Sequence, residues 1–149
     1  MVIFLLVMLL LTFLQGTIIP LNVILVVILA RSFVVTDKEN YWIAFSFGLL
    51  LALLLGYSLG SLSLVYLMIV TVIYLIKRAN FASHWLAVLP LSIVILAFFH
   101  LMEGLLIKSV LQWNYLMIES LLILPAYLLI GFWEERFVPK SDIRLKIGK

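Results

Sequence analysis

The chain has 149 residues, of which 66% are hydrophobic and 11% are charged, and its formal net charge is +3. A soluble domain carries about 25% charged and about 45–50% apolar residues. Together with a mean hydropathy of +1.31, this composition excludes a water-soluble protein and predicts an integral membrane protein in contact with the lipid bilayer. The absence of cysteine excludes disulfides and thiolate sites. The small net charge argues against nucleic-acid binding, which requires clustered basic residues on a solvated face.

Polar or helix-breaking residues divide the chain into six apolar runs. A bilayer core of about 30 Å requires roughly 20 helical residues, or fewer where the bilayer thins. We therefore predict an all-α membrane protein, a six-transmembrane-helix bundle over residues 1–133 with a basic tail over 134–149. The predicted helices are 2–16, 20–35, 41–55, 61–76, 84–107 and 115–133. A five-span alternative places residues 1–19 partly in the membrane interface.

Gln15, Asn22 and Arg31 lie near the ends of the first two predicted helices. The amides of Gln15 and Asn22 are candidates for a hydrogen bond between helices. Arg31, near the end of the second helix, is interpreted as an anchor at the membrane interface.

The third and fourth helices must be separated by a turn. One helix from Tyr41 to Ile76 would be about 54 Å long, far more than a bilayer needs. Small residues recur at every fourth position in this region, at Gly48, Ala52, Gly56 and Gly60. Gly56 and Gly60 are expected to flank the turn, where glycine adopts backbone angles that other residues resist. Gly48 and Ala52 are expected to allow close helix packing, within the chain or with a partner.

The basic residues are distributed unevenly across the predicted spans. With both termini on one side, that side receives nine of the ten basic residues and the other side receives only Lys108. Basic residues are retained in the cytoplasm, so both termini are predicted to be cytoplasmic. The basic tail is expected to rest on anionic lipid or to be frayed.

Three ionisable residues fall inside the fifth and sixth predicted helices: His100, Glu103 and Glu119. Such residues within spans are candidates for function. The alternatives are a proton relay, a metal site, a patch that binds a partner helix, or a cluster whose members satisfy one another near the outer surface. A metal site has little support, because one His-x-x-Glu pair supplies only two ligands.

The sequence contains no signature of a catalytic site. There is no phosphate-binding glycine-rich loop, no nucleophile elbow and no His-Glu-x-x-His. We therefore expect no enzymatic activity, no cofactor and no bound metal.

The stretch from Pro20 to Arg78 resembles the bacterial rod shape-determining MreD family. That family has a Pro-Asn pair before its second span, here Pro20-Leu-Asn22, and a Gly-x-x-x-Asp-x-x-x-Gly-x-x-Leu-Gly run across its third and fourth spans. The glycine and leucine spacings match between Gly48 and Gly60. The acidic position does not match, because it is Ala52 here. The resemblance covers roughly 60 residues and, beyond them, extends to size, number of spans and the basic tail.

The resemblance implies a non-enzymatic scaffold in the bacterial cytoplasmic (inner) membrane that supports peptidoglycan synthesis during cell elongation. It implies the bitopic protein MreC as partner and, through it, the glycosyltransferase RodA and a class B penicillin-binding protein. It also implies a fold similar to that of vitamin-transporter substrate-binding subunits. The alternative function is therefore a substrate-binding membrane subunit of a small-molecule transporter, with His100, Glu103 and Glu119 lining its pocket. An ion channel is disfavoured, because the cytoplasmic halves of the spans are too apolar.

Overall fold

The computed structural model describes residues 2–18, 20–79, 85–107 and 113–137. These residues form six α-helices and no strand, which confirms the predicted all-α fold class. The helices are α1 (Val2–Thr17), α2 (Val23–Val34), α3 (Glu39–Leu55), α4 (Ser61–Arg78), α5 (Trp85–Ile107) and α6 (Trp113–Phe137). Helix α6 continues through the first residues of the predicted tail, and residues 138–149 lie outside the described part of the chain. Lys108, predicted to face the outer side, lies outside it as well.

Three of the helices are long and apolar enough to cross a membrane. Their apolar stretches are Ser61–Arg78, Ala87–Leu105 and Asn114–Arg136. The other three, α1 to α3, are apolar but shorter. The 12 residues of α2 rise only about 18 Å at 1.5 Å per residue. The chain therefore has the character of a membrane protein, and its second helix is much shorter than a bilayer core.

Helix α2 lies at the centre of the bundle. Nine of its twelve residues are buried, and it packs against α1, α3, α4 and α6. Helices α3 and α4 form one packed pair, and α5 and α6 form another. Because a helix buried on all sides must be apolar on all sides, the run Val23–Ala30 suits this position. We call the end of the bundle with the α1–α2 link and the α3–α4 turn the Gly56 end, and the opposite end the Arg31 end.

The α3–α4 turn depends on two glycines, as predicted. Gly56 has φ +68° and Gly60 has φ +90°. Gly56 ends α3 in a Schellman motif, in which the Tyr57 N–H donates to the Ala52 carbonyl at 2.9 Å and the Gly56 N–H to the Leu53 carbonyl at 3.4 Å. Positive φ angles of this kind strain residues that have a Cβ, which explains glycine at both positions.

Gly48 brings the backbones of α3 and α4 into direct contact. A Cβ at this position would lie 2.7 Å from the Ser63 Cα and 2.9 Å from the Ser63 backbone nitrogen. The Ser63 hydroxyl, in turn, donates to the Phe45 carbonyl at 3.0 Å. Ala52 is fully buried on the same helix. The structure therefore gives Gly48 and Ala52 a packing role inside the chain, and this face is not open to a partner helix.

Candidate functional site

His100, Glu103 and Glu119 come together near the Gly56 end. The His100 Nε2 lies 2.8 Å from the Glu119 Oε2, and the His100 Nδ1 lies 3.4 Å from the Glu103 Oε2. Glu119 is fully buried and His100 is nearly so. A polar pair this deep requires further hydrogen bonds to offset its desolvation. For Glu119 the structure supplies one from the N-terminal end of α2.

Glu119 and Gln15 bind the N-terminus of α2. The Asn22 backbone N–H donates to the Glu119 Oε1 at 2.8 Å, and the Ile24 N–H donates to the Gln15 Oε1 at 2.9 Å. The first N–H groups of a helix have no partner within the helix, and its N-terminus favours negative charge. Gln15 Nε2 also donates to Asn22 Oδ1 at 3.1 Å, which confirms the predicted amide pair. These side chains therefore satisfy a helix end that is enclosed by protein.

Tyr66 of α4 lies beside this cluster and was not predicted as a site residue. It is fully buried, and its ring packs at 5.9 Å from the Phe99 ring, which in turn lies 5.5 Å from the His100 imidazole. Among the described residues its hydroxyl has no hydrogen-bond partner.

Arg31, which the sequence suggested as an anchor at the membrane interface, has a buried side chain that contacts several helices. Only 3% of its side chain is exposed, and it binds the Asn40 side chain, Glu39 Oε2 at 3.3 Å and Glu134 Oε1 at 3.5 Å. Its guanidinium also lies 5.2 Å from the centre of the Phe4 ring. A guanidinium, with five donors in a fixed plane, can join several helices at once. Here it joins α1, α2, α3 and α6.

The Lys77 side chain of α4 binds the C-terminal end of α2. Its ammonium donates to the Phe33 carbonyl at 2.8 Å. The last carbonyls of a helix lack partners, and its C-terminus favours positive charge. The basic residues Lys77 and Arg31 therefore match the C-terminal end of α2, and the acidic Glu119 matches its N-terminal end. The sequence signal for this arrangement is an apolar run too short for a bilayer, with an amide before it and an arginine in its last turn. Both ends of the short central helix are thus held by buried polar side chains.

An apolar groove lies between α1 and α6 on the outside of the bundle. Its volume is about 260 Å³, and we call it the α1–α6 groove. Its lining includes Ile3, Val7, Leu11, Ala126, Leu129 and Trp133. Several of these side chains are more than half exposed, such as Ile3 at 60% and Leu129 at 70%. The groove therefore presents an exposed apolar surface on the side of the bundle.

The predicted polar cluster does not open onto this groove, whose lining contains none of its three side chains. Within the described ranges, no group of three His, Asp or Glu side chains has the arrangement of a metal site.

In comparisons with known proteins, no protein-family model, no curated protein and no solved structure matches the chain. Fold and site together define an all-helical protein of membrane character, built around a short central helix with buried charged residues at both ends.

Proposed function

We propose that the protein is a non-enzymatic integral membrane scaffold of the MreD type, which supports peptidoglycan synthesis in the bacterial cell-elongation complex. It crosses the inner membrane six times with both termini in the cytoplasm. It binds the transmembrane helix of a bitopic partner like MreC and, through that partner, acts with RodA and a class B penicillin-binding protein. The observation that supports this proposal is the α1–α6 groove.

A partner helix in lipid requires a complementary apolar surface, because helix association there depends on packing more than on the hydrophobic effect. The α1–α6 groove offers such a surface, with side chains from α1 and α6 on its two sides and Val27 of α2 among its lining residues. Ala126 is small, which favours close approach by a second helix. Gly48 and Ala52, which face the inside of the chain, have no part in this interface.

Transporter-type substrate binding receives less support from the geometry. It requires convergent polar groups that face an open cavity. Glu119 instead uses one carboxylate oxygen for the Asn22 N–H and the other for His100. Of the polar side chains that such a pocket would need, Glu119 binds the N-terminus of α2, and His100 is paired with both Glu119 and Glu103.

Site-specific photo-crosslinking in the cell's own membranes tests the scaffold proposal. A photoreactive residue replaces Val7 or Leu129, which line the α1–α6 groove. The matched controls are Leu6 on α1 and Leu121 on α6, which are 60% and 73% exposed and do not line it. We expect the groove positions to yield an adduct with a single-pass membrane protein, identified by mass spectrometry, and the controls to yield lipid adducts.

Two results would contradict the scaffold proposal. One is the same set of protein adducts at groove and control positions, because the groove would then have no partner of its own. The other is an adduct with ATPase subunits or a coupling membrane protein, which would assign the chain to a transporter.

A further inference from the structure

A second groove, of about 790 Å³, lies on the other flank of α6, near the Arg31 end. Val34, Leu128 and Phe132 are among the apolar residues of its lining, and Glu134 and Glu135 supply two carboxylates. We call this the acid-edged groove. Its volume falls within the range of about 300–1,000 Å³ that is typical of sites for small molecules. Because the carboxylates follow the apolar residues along α6, the lining suits a ligand with an apolar part and a polar end.

Glu135 is the carboxylate that remains available to a ligand. The Glu134 Oε1 lies 3.5 Å from the Arg31 Nε and is already paired. Glu135 is exposed, and among the described residues no cation lies within ion-pair distance of it. Arg136, the next residue, lies over the Phe132 ring, with its guanidinium 5.4 Å from the ring centre. The edge of the groove therefore presents one negative and one positive group side by side.

The two charged groups lie at the end of an apolar stretch of α6. The stretch Asn114–Arg136 is long and apolar enough to cross a membrane, and charged residues at the end of such a stretch lie at the level of the lipid headgroups. At 1.5 Å per residue, Phe132 and Leu128 lie about 5 Å and about 10 Å from Glu135 along the helix axis, toward the acyl chains. A carboxylate at the headgroup level attracts a cationic group and repels an anionic one.

We propose that the acid-edged groove binds a zwitterionic phospholipid with a primary ammonium, phosphatidylethanolamine. The ammonium donates N–H bonds to Glu135, the phosphate binds the guanidinium of Arg136, and an acyl chain lies along Phe132 and Leu128. A primary ammonium has three N–H donors, whereas the quaternary ammonium of phosphatidylcholine has none, so Glu135 distinguishes two lipids of equal net charge. This lipid site is separate from the α1–α6 groove assigned to a partner helix.

Photo-crosslinking in vesicles tests the lipid site. The vesicles contain phosphatidylethanolamine, phosphatidylcholine and anionic phosphatidylglycerol in equal amounts and with identical acyl chains. The full-length protein carries a photoreactive residue in place of Leu128 or, as the control, Leu129; these neighbours are 66% and 70% exposed and line different grooves. Mass spectrometry of the adducts gives the ratio of phosphatidylethanolamine to phosphatidylcholine. We expect this ratio to be about threefold higher at position 128 than at position 129, as one exposed ion pair would produce.

Two substitutions test the role of Glu135 in the lipid preference. Glu135→Gln keeps the size of the side chain and removes its charge, so we expect the ratio at position 128 to fall to that at position 129. Asp37→Asn is the matched control, because Asp37 is an exposed carboxylate at the same end of the bundle that does not line the groove. We expect Asp37→Asn to leave the ratio unchanged.

Four results would overturn the lipid site. Equal ratios at positions 128 and 129 would show a groove without headgroup preference, and an equal loss in the Asp37→Asn protein would assign the preference to the charge of the whole surface. A predominance of phosphatidylglycerol at position 128 would show that basic groups select the lipid. A peptide adduct at position 128 in place of a lipid adduct would identify a protein segment as the occupant.

Discussion

At the scale of single residues, two helical glycines are expected to respond oppositely to the same substitution. Gly48→Ala places a methyl group 2.7 Å from the Ser63 Cα, so α3 and α4 must separate. Overpacking of this kind costs about 1–3 kcal/mol. At Gly131 an added Cβ meets nothing within 4 Å, so Gly131→Ala gains helix propensity of up to about 1 kcal/mol. Thermal unfolding in detergent measures the stability of both variants. A loss of stability in the Gly131→Ala protein as large as that in the Gly48→Ala protein would contradict the packing argument.

The same residues show how far sequence reasoning reaches. The four-residue spacing of Gly48, Ala52, Gly56 and Gly60 was enough to predict both the close packing and the turn, because glycine has few other uses in an apolar helix. The spacing did not reveal whether the close contact is internal. That depends on which helix lies opposite Gly48, a tertiary fact settled by the approach of Ser63.

At the scale of the element, α2 is a short helix held at both ends by polar side chains. Glu119 and Gln15 bind its N-terminus, and Arg31 and Lys77 lie at its C-terminus. The cluster of His100, Glu103 and Glu119 was predictable from the sequence, since ionisable residues within spans must find partners. The role of Glu119 was not predictable, because its backbone partner Asn22 lies 97 residues away in the chain.

This arrangement predicts a graded response of the two glutamates. Glu119→Ala leaves the Asn22 N–H and His100 without their buried partner, and breaking a buried pair costs about 3–5 kcal/mol. Glu119→Gln retains an acceptor for Asn22 and is expected to lose less. Glu103 is 13% exposed and contacts His100 at the longer distance of 3.4 Å, whereas Glu119 is fully buried, so Glu103→Ala is expected to cost less than Glu119→Ala. The measurement is the unfolding temperature in detergent, with Glu103→Ala as the matched control. Equal decreases in unfolding temperature for Glu119→Ala and Glu103→Ala would contradict a special role of Glu119 at the N-terminus of α2.

At the scale of the whole molecule, the two buried polar ends of α2 explain how a helix of about 18 Å can take part in a membrane bundle. Backbone groups in lipid must be satisfied within the protein. Here the unpaired groups at both ends of α2 find side chains of α1, α4 and α6. Such a helix requires neighbours that enclose it, which agrees with the burial of nine of its twelve residues. Neighbouring helices therefore supply the hydrogen-bond partners that the ends of the short helix lack.

The proposed topology leads to a labelling prediction that separates six spans from five. A single cysteine replaces Ser58 in the α3–α4 turn, Asp37 in the α2–α3 link, or Val2 at the start of α1. All three residues are exposed. In intact cells with a permeabilised outer membrane, a membrane-impermeant maleimide is expected to label the Ser58→Cys protein alone. The Asp37→Cys and Val2→Cys proteins are expected to react only after the inner membrane is disrupted. The proposed topology places both positions on the cytoplasmic side, together with nine of the ten basic residues. Labelling at position 2 from outside, with position 37 still protected, would instead require the five-span arrangement, since an odd number of spans places the two termini on opposite sides.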